Sequence, residues 1–136
     1  MIDQGRGGAI VNISSLNQIV PFPGASSYAT AKAGVGMLTQ NAALELAAHR
    51  IRVNAVLPGL TDTPSTTFIR ETPPIREAYM QRIPAKRAAQ PEEIAAPALF
   101  LASELATYIT GASLLVDGGW ALTGYPDLGP LLSASA

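Results

Sequence analysis

Three continuous apolar runs, each bounded by glycine, proline or a polar loop, mark the candidate strands of this chain. They are residues 9–14, 51–57 and 113–117. Short runs of this kind, rich in valine, isoleucine and leucine, are typical of strands that are buried on both faces. The second run stops at Pro58-Gly59, where proline cannot continue the hydrogen-bond ladder. We therefore expect each strand to end at a loop.

Two longer stretches have the spacing of helices. From about Ser27 to Ala48, apolar residues recur every three or four positions. These residues are Ala31, Val35, Leu38, Ala42 and Leu46. Either Ser26 or Ser27 could cap the N-terminus of this helix. The second stretch begins at Pro91, a residue suited to the first turn, and acidic residues follow it. We expect Pro97 to kink that helix.

Residues 60–90 form the longest connection between the predicted strands and helices. They contain four prolines around a short amphipathic stretch at 75–82. A connection this long inside a compact domain is usually a lid or a binding loop. The sequence therefore predicts a substrate lid over residues 60–90.

The order of these elements predicts an α/β fold. Strand, helix, strand, helix and strand follow one another with few residues between them, apart from the lid. This order favours parallel pairing and right-handed crossovers. We expect three strands with helices, equivalent to half of a Rossmann-type doubly wound parallel sheet, in one partial domain over residues 1–136. Residues 121–136 are expected to be a C-terminal tail.

Composition narrows the class of function. The chain has 136 residues, 48% of them hydrophobic, which is enough for one domain with a core. Its net charge of −1 predicts no nucleic-acid partner and no attraction to a membrane surface. With no cysteine and one histidine, a metal site is not expected, and a cytoplasmic location is favoured. No apolar run approaches the length of a membrane span.

Three residues indicate chemistry. Tyr28 and Lys32 are four positions apart in the first predicted helix, so their side chains lie on the same face. A phenol is a poor base at neutral pH, but a neighbouring ammonium stabilises its charged form. Ser15, which follows the first strand, could bind the substrate oxygen and hold it against Tyr28. A tyrosine and a lysine at this spacing also occur by chance on helix surfaces, so the pair is weak evidence by itself.

The ordered set of motifs around these residues is much more specific. They are Gly8-x-Ile10-Val11-Asn12-Ile13-Ser14-Ser15, Tyr28-x-x-x-Lys32, Asn54-x-Val56-x-Pro58-Gly59-x-Thr61-x-Thr63 and Thr110-Gly111-x-x-x-x-Val116-Asp117-Gly118-Gly119. In this order they resemble the C-terminal half of a short-chain dehydrogenase/reductase, over roughly residues 7–120.

The resemblance implies a catalytic set and a set of cofactor contacts. It makes Ser15 the substrate-orienting serine, Tyr28 the acid/base, and Lys32 the residue that binds the nicotinamide ribose and activates the tyrosine. The same comparison places Pro58, Gly59 and Thr61 beside the nicotinamide, and Thr63 near the cofactor phosphates. The implied cofactor is NAD or NADP, and the implied substrate is a small alcohol or ketone. A homo-oligomer is expected for the complete form.

The family's N-terminal dinucleotide-binding half is absent from this sequence. That half supplies a glycine-rich turn between a strand and a helix, where backbone N–H groups hold the pyrophosphate. Residues 5–8 are rich in glycine but precede a strand, so they are no substitute. The residue that distinguishes NAD from NADP also belongs to the missing half.

Three interpretations remain open. The first is an NAD(P)-dependent oxidoreductase that interconverts a secondary alcohol and a ketone. The second is a truncated, catalytically inactive remnant, or an interaction module without cofactor binding. The third is isomerase, dehydratase or lyase chemistry on the same scaffold. No residue in the sequence separates the third interpretation from the first.

Overall fold

A three-stranded parallel sheet forms the centre of the protein. The computed structural model describes residues 1–126, 128, 131 and 133. The strands are β1 (Gly8–Ile13), β2 (Ile51–Pro58) and β3 (Ser113–Val116), in the order β1-β2-β3. Gly8 pairs with Ile51 at the start of the first ladder, and Pro58 pairs with Val116 at the end of the second. The parallel α/β architecture predicted from the sequence is confirmed.

Over residues 1–126, four α-helices lie between the strands. They are α1 (Ser26–Leu46), α2 (Thr67–Glu71), α3 (Pro73–Arg82) and α4 (Pro91–Ala102). The N-cap of α1 is Ala25, which makes no side-chain hydrogen bond, so neither predicted serine caps the helix. The cap lies one residue earlier because the Ala25 carbonyl already accepts from the Ala29 N–H at 2.8 Å. Helix α4 continues past Pro97 to Ala102.

The central strand β2 is covered on both faces. Ile51 and Val53 pack with Ala43 of α1. Val56, which points to the opposite face, packs with Ile94 and Leu101 of α4. Successive strand residues alternate between faces, so α1 and α4 cover opposite sides of the sheet. Burying each large aliphatic side chain contributes about 1.5–3 kcal/mol, which makes β2 the best-anchored strand.

The two outer strands are less protected. Strand β1 pairs with β2 only, and within the described part of the chain its other edge has no partner strand. Ile13, at the end of β1, is 51% exposed. Several apolar side chains of α1 also face solvent, among them Met37, Leu38 and Leu44. Within the described residues, no helix has the length and apolarity needed to cross a membrane.

The segment predicted as a lid, residues 60–90, is closed at its base by backbone hydrogen bonds. The Ala89 N–H donates to the Leu60 carbonyl at 2.9 Å, and the Asp62 N–H donates to the Ala89 carbonyl at 2.8 Å. Between these ends lie α2 and α3, so much of the segment is helical where the sequence suggested mainly loop. Its buried residues Ile75, Tyr79 and Ile83 form one apolar cluster with Leu16 and Trp120, next to the carboxyl end of the sheet.

The start of the predicted tail is packed against this cluster. Trp120 begins a short 3-10 turn that ends at Leu122, and the residue is 3% exposed. The indole Nε1–H donates to the Gly124 carbonyl at 3.0 Å. Residues 127, 129, 130, 132 and 134–136 of the predicted tail lie outside the described residues.

Candidate active site

Tyr28 and Lys32 lie together in the first turns of α1. The Lys32 Nζ is 5.6 Å from the centroid of the Tyr28 ring, as their four-residue spacing on the helix predicts. The same Nζ donates a hydrogen bond to the Ile13 carbonyl at 3.2 Å. Because Ile13 is the last residue of β1, this bond fixes the ammonium at the carboxyl end of the sheet. The Tyr28 ring, close to that ammonium, lies at the same end of the sheet.

Ser15 follows β1 directly and is nearly buried, with 8% of its surface exposed. Its Oγ accepts a hydrogen bond from the Asn17 N–H at 3.1 Å, so Ser15 caps the short 3-10 turn over Leu16–Gln18. The preceding Ser14 donates from its Oγ to the Lys32 carbonyl at 3.1 Å. These bonds join the end of β1 to α1. They keep the serine and the tyrosine on the same side of the fold.

One cavity contains four of the residues singled out in the sequence. Its volume is about 300 Å³, and Ser15, Tyr28, Pro58 and Gly59 all line it. Tyr28 is 47% exposed, so its hydroxyl is accessible to a small molecule. The cavity lies outside the carboxyl ends of β1 and β2, which is where open parallel sheets bind their ligands.

The other three predicted site residues are close by but do not line this cavity. The Lys32 ammonium lies near the Tyr28 ring and donates to the Ile13 carbonyl, as described above. Thr61 donates from its Oγ1 to the Gly59 carbonyl at 3.3 Å. Thr63 precedes a short 3-10 turn, and its Oγ1 lies 2.9 Å from the Ser65 Oγ. The threonine that does line the cavity is Thr66.

Gly59 has a packing role in addition to its place in the cavity wall. A Cβ atom added at Gly59 would lie 2.8 Å from the Cα of Asp117, which no side chain tolerates. Asp117 organises the turn after β3, since its carboxylate accepts from the Gly119 N–H at 2.9 Å and from the Ala121 N–H at 2.7 Å. Glycine at position 59 therefore allows the ends of β2 and β3 to lie side by side.

Four aromatic residues complete the cavity, and the sequence analysis did not single them out as site residues. This aromatic wall consists of Phe22, Tyr79, Trp120 and Tyr125. The Tyr125 ring stacks on Phe22 with 4.5 Å between centroids and lies 4.4 Å from Trp120. Tyr79 meets Trp120 edge-on at 5.2 Å. The four residues come from three distant segments, so no local pattern in the sequence could have grouped them.

Burial distinguishes the phenols of the cavity from one another. Burial raises the pKa of Tyr79 above its ordinary value. Burial, with a smaller contribution from the neighbouring Tyr79, raises the pKa of Tyr125 far above the normal range. Both stay protonated at any physiological pH. Tyr28 is the half-exposed phenol of the cavity, and the Lys32 ammonium lies 5.6 Å from its ring.

The described residues fit only one end of a dinucleotide. Pro58 and Gly59 line the same cavity as Ser15 and Tyr28, which leaves room for a flat ring beside the tyrosine. In the part of the chain that the structure describes, no glycine-rich turn joins the end of a strand to the start of a helix. Nor do three or more His, Cys, Asp or Glu side chains cluster there in a way that could hold a metal ion.

Comparison with known proteins relates this chain to a group of enzymes. A family model described as "Enoyl-(Acyl carrier protein) reductase" matches residues 1–121. The chain is 46% identical over 125 residues to 3beta-hydroxysteroid dehydrogenase 1 of Eggerthella lenta, which covers 92% of this chain and 47% of that protein. It is 48% identical over 119 residues to the 3-oxoacyl-[acyl-carrier-protein] reductase FabG of Thermotoga maritima, covering 88% of this chain and 47% of that protein.

Solved structures agree with these sequence matches. A short-chain type dehydrogenase/reductase from Mycobacterium ulcerans has a TM-score of 0.93 and 35% identity, over 98% of this chain and 48% of that one. An Agrobacterium tumefaciens protein described as a 2-deoxy-d-gluconate 3-dehydrogenase, solved with bound NADP, has a TM-score of 0.86 and 43% identity, over 89% of this chain and 49% of that one. The chain thus spans about half the length of the relatives it matches.

Proposed function

Since the chain belongs to the short-chain dehydrogenase/reductase family, we propose that it provides the catalytic half of an NAD(P)-dependent oxidoreductase that interconverts a secondary alcohol and a ketone. One observation carries this proposal. Ser15 and Tyr28 line a single cavity, with the Lys32 ammonium 5.6 Å from the Tyr28 ring. These are the groups needed to bind a carbonyl oxygen and to exchange a proton with it.

Tyr28 exchanges the proton in this proposal. In the reducing direction its hydroxyl donates to the substrate oxygen as the carbonyl becomes an alcohol, and in the oxidising direction the phenolate takes that proton back. Ser15 holds the oxygen in place. The Ser15 Oγ accepts from the Asn17 N–H at 3.1 Å and donates to the Asn17 Oδ1 over a long 3.4 Å, a bond that its hydrogen would exchange for one to the substrate oxygen.

Lys32 has two roles in this proposal. Its positive charge stabilises the phenolate by a Coulomb interaction when Tyr28 has given up its proton. An ammonium has three N–H donors, and the structure shows one of them bound to the Ile13 carbonyl. The remaining donors are available for the hydroxyl groups of a nicotinamide ribose.

The cofactor in this proposal is NAD or NADP, which supplies or accepts the hydride when bound. Main-chain groups of Pro58, Gly59 and Thr61 would hold the nicotinamide end, and Thr63 would lie near the phosphates. Support comes from the placement of Pro58 and Gly59 in the cavity of Tyr28 and from the relative solved with NADP. The pyrophosphate would require residues outside this chain.

The test uses the chain joined to the N-terminal half of a relative, here named the joined form. We expect ketone-dependent oxidation of NADH or NADPH by the joined form. Tyr28→Phe should lower kcat by about 10²–10⁴-fold, the usual contribution of a positioned acid/base, and change the Kd of the cofactor less than twofold. Tyr108→Phe is the matched control, because Tyr108 is fully exposed. Turnover of Tyr28→Phe within a few-fold of the unsubstituted protein would overturn the proposal.

A second candidate function is an interaction module without catalysis. The observation that favours it is the set of exposed apolar side chains on α1, including Leu38 at 62% and Leu44 at 80% exposure. In a complete oxidoreductase the same surface would suit a second copy of the chain, as in a homo-oligomer. If the joined form binds no dinucleotide and reduces no ketone, while the chain still binds a partner through α1, the module interpretation replaces the enzyme.

A further inference from the structure

We propose that the cavity selects a neutral, ring-shaped ketone or secondary alcohol and rejects substrates that carry a carboxylate or phosphate. This inference rests on the proposed function, since it names the substrate class for the site of Ser15 and Tyr28. It depends on three properties of the cavity: its charge, the shape of its wall and the number of polar groups left free to bind a ligand.

Charge is the first property. Among the residues that the structure describes, no charged side chain lines the cavity. The nearby cations do not line the cavity and are engaged elsewhere. Lys32 donates to the Ile13 carbonyl at 3.2 Å, Arg70 pairs with Asp62 at 2.9 Å, and Arg82 donates to the Thr123 carbonyl at 3.1 Å. An anionic group entering the cavity would lose its hydration without gaining a positive partner, and this loss is costly.

Shape is the second property. The rings of the aromatic wall present flat apolar surfaces, with Tyr125 between Phe22 and Trp120. Such surfaces bind the faces of alicyclic or aromatic rings with little loss of conformational entropy. The volume of about 300 Å³ is at the lower end of the range for small-molecule sites. With a nicotinamide ring beside Pro58 and Gly59 in the same cavity, the remaining space suits a single ring better than a long acyl chain.

The third property is the scarcity of free polar groups. Asn17 accepts from the Tyr125 hydroxyl at 2.9 Å with its Oδ1 and donates to the Val20 carbonyl at 3.2 Å with its Nδ2. Thr66 donates from its Oγ1 to main-chain carbonyls of its own turn. The side-chain hydroxyls left for a ligand are those of Tyr28 and Tyr79, together with that of Ser15, whose bond to the Asn17 Oδ1 is long at 3.4 Å. A sugar would leave several of its hydroxyls unpaired against the aromatic wall.

Tyr125 joins the wall to the reactive end of the cavity. Its ring contacts Phe22 and Trp120, and its hydroxyl bonds to Asn17, whose N–H in turn bonds to the Ser15 Oγ. Replacing the ring removes the central surface of the wall. Replacing only the hydroxyl leaves that surface in place. The two substitutions therefore separate wall contact from hydrogen bonding.

The test compares a neutral and an anionic derivative of the same ring ketone: ethyl 4-oxocyclohexanecarboxylate and its free carboxylate. Trp120 is the only tryptophan of the chain and lines the cavity, so its fluorescence reports binding without turnover. The joined form should be made with a tryptophan-free N-terminal half. We expect the ester to bind at least tenfold more tightly than the carboxylate. Equal or tighter binding of the carboxylate would overturn the inference.

Variants locate the binding in the cavity. Tyr125→Ala should weaken binding of the ester at least fivefold more than Tyr125→Phe does, because only the first removes the ring. Tyr108→Phe, far out in solvent, is the matched control for a general effect of tyrosine substitution. If Tyr125→Ala and Tyr108→Phe bind the ester equally well, the aromatic wall is not the binding surface and the inference fails.

A kinetic measurement separates this inference from the proposed function. In the joined form, kcat/KM for the ester should exceed that for the carboxylate at least tenfold. Turnover that favours the carboxylate or glucose would refute the substrate class and leave the oxidoreductase proposal standing. Tight binding of the ester with no turnover by any nicotinamide cofactor would refute the oxidoreductase proposal and leave the ligand preference standing.

Discussion

At the scale of single residues, Asn54 determines where the third strand begins. It is fully buried in β2, and its Nδ2 donates to the Ile109 carbonyl at 2.8 Å while its Oδ1 accepts from the Ala112 N–H at 3.0 Å. Both partners belong to the loop that leads into β3. One amide thus satisfies two partly buried backbone groups of that loop, just before the strand that leads to the Asp117 turn.

We predict that Asn54→Ala lowers the free energy of unfolding of the joined form by about 2–4 kcal/mol. The reason is that the partly buried Ile109 carbonyl and Ala112 N–H each lose their partner, and an unpaired buried group costs about 1–3 kcal/mol. Urea unfolding followed by circular dichroism measures the change. Asn41→Ala, on the exposed side of α1, is the control. A loss below about 1 kcal/mol for Asn54→Ala would show that water reaches this loop.

The candidate site was predictable from the sequence where its residues are close in the chain or follow a strand. Tyr28 and Lys32 could be paired from their spacing, and Ser15 and Gly59 could be placed from the ends of β1 and β2. The aromatic wall could not be predicted, because Phe22 and Tyr125 are about a hundred positions apart and meet only in the folded chain. Thr61 and Thr63 were expected at the site, yet they bond within their own loop.

At the scale of elements, helix α4 begins with a reciprocal cap. The Glu93 carboxylate accepts from the Gln90 N–H at 2.8 Å and forms a two-pronged ion pair with Arg87 at 2.6 and 2.7 Å. The Arg87 hydrogen bond, with help from the Gln90 N–H, lowers the pKa of Glu93 from 4.5 to about 2. The cap ties the end of the 60–90 segment to α4, which covers one face of the sheet.

This cap predicts a dependence of stability on pH. The pKa of Glu93 is lower in the folded chain than its ordinary value, so its stabilising effect is complete above about pH 4.5 and is lost as the pH falls towards 2. Glu93→Gln should therefore lower the Tm of the joined form at pH 6 and have little effect near pH 2. The effect should be largest at low salt, because the pair is exposed.

Glu92→Gln is the matched control for the cap prediction, since Glu92 lies in the same first turn of α4 and is exposed. Its substitution tests the general effect of a negative charge at a helix N-terminus. The cap has no specific role if Glu92→Gln and Glu93→Gln change the Tm equally across this pH range.

The strands and long helices were predictable to within a residue or two, and the 60–90 segment was predictable only in part. Strand β2 was bounded by the proline that ends it, and α1 by the spacing of its apolar residues. The prolines of the 60–90 segment suggested loop, although Pro73 in fact begins α3. Proline is favoured in the first turn of a helix and disfavoured in its interior. The prolines alone therefore could not distinguish a loop from the start of a helix.

At the scale of the whole molecule, the central strand of the sheet is covered on both faces and the outer strands are less protected. Strand β2 is buried between α1 and α4, whereas the outer edge of β1 is unpaired among the described residues. The chain also spans about half the length of its relatives, as the 47% coverage of 3beta-hydroxysteroid dehydrogenase 1 shows. An unpaired strand edge with apolar neighbours is a surface that associates with other chains.

We predict that the 136-residue chain, when produced alone, self-associates and unfolds over a broad temperature range. The physical reason is the free edge of β1 together with the exposed Ile13 and the apolar side chains of α1. The joined form should unfold cooperatively, because its N-terminal half covers that edge. Calorimetry and light scattering of the two proteins measure the difference. A sharp, reversible transition in the monomeric chain alone would contradict this prediction.

The central claim is that hydride and proton exchange occur at one carbonyl group, with Tyr28 as the proton donor. The most direct measurement supplies the joined form with a ketone and a reduced nicotinamide cofactor that carries deuterium at the transferring position. Mass spectrometry of the alcohol then follows the hydride. We expect one deuterium on the carbinol carbon, formed about 10²–10⁴-fold more slowly by Tyr28→Phe. The claim would be contradicted by an alcohol without deuterium, or by equal rates of deuterium incorporation in the joined form and its Tyr28→Phe variant.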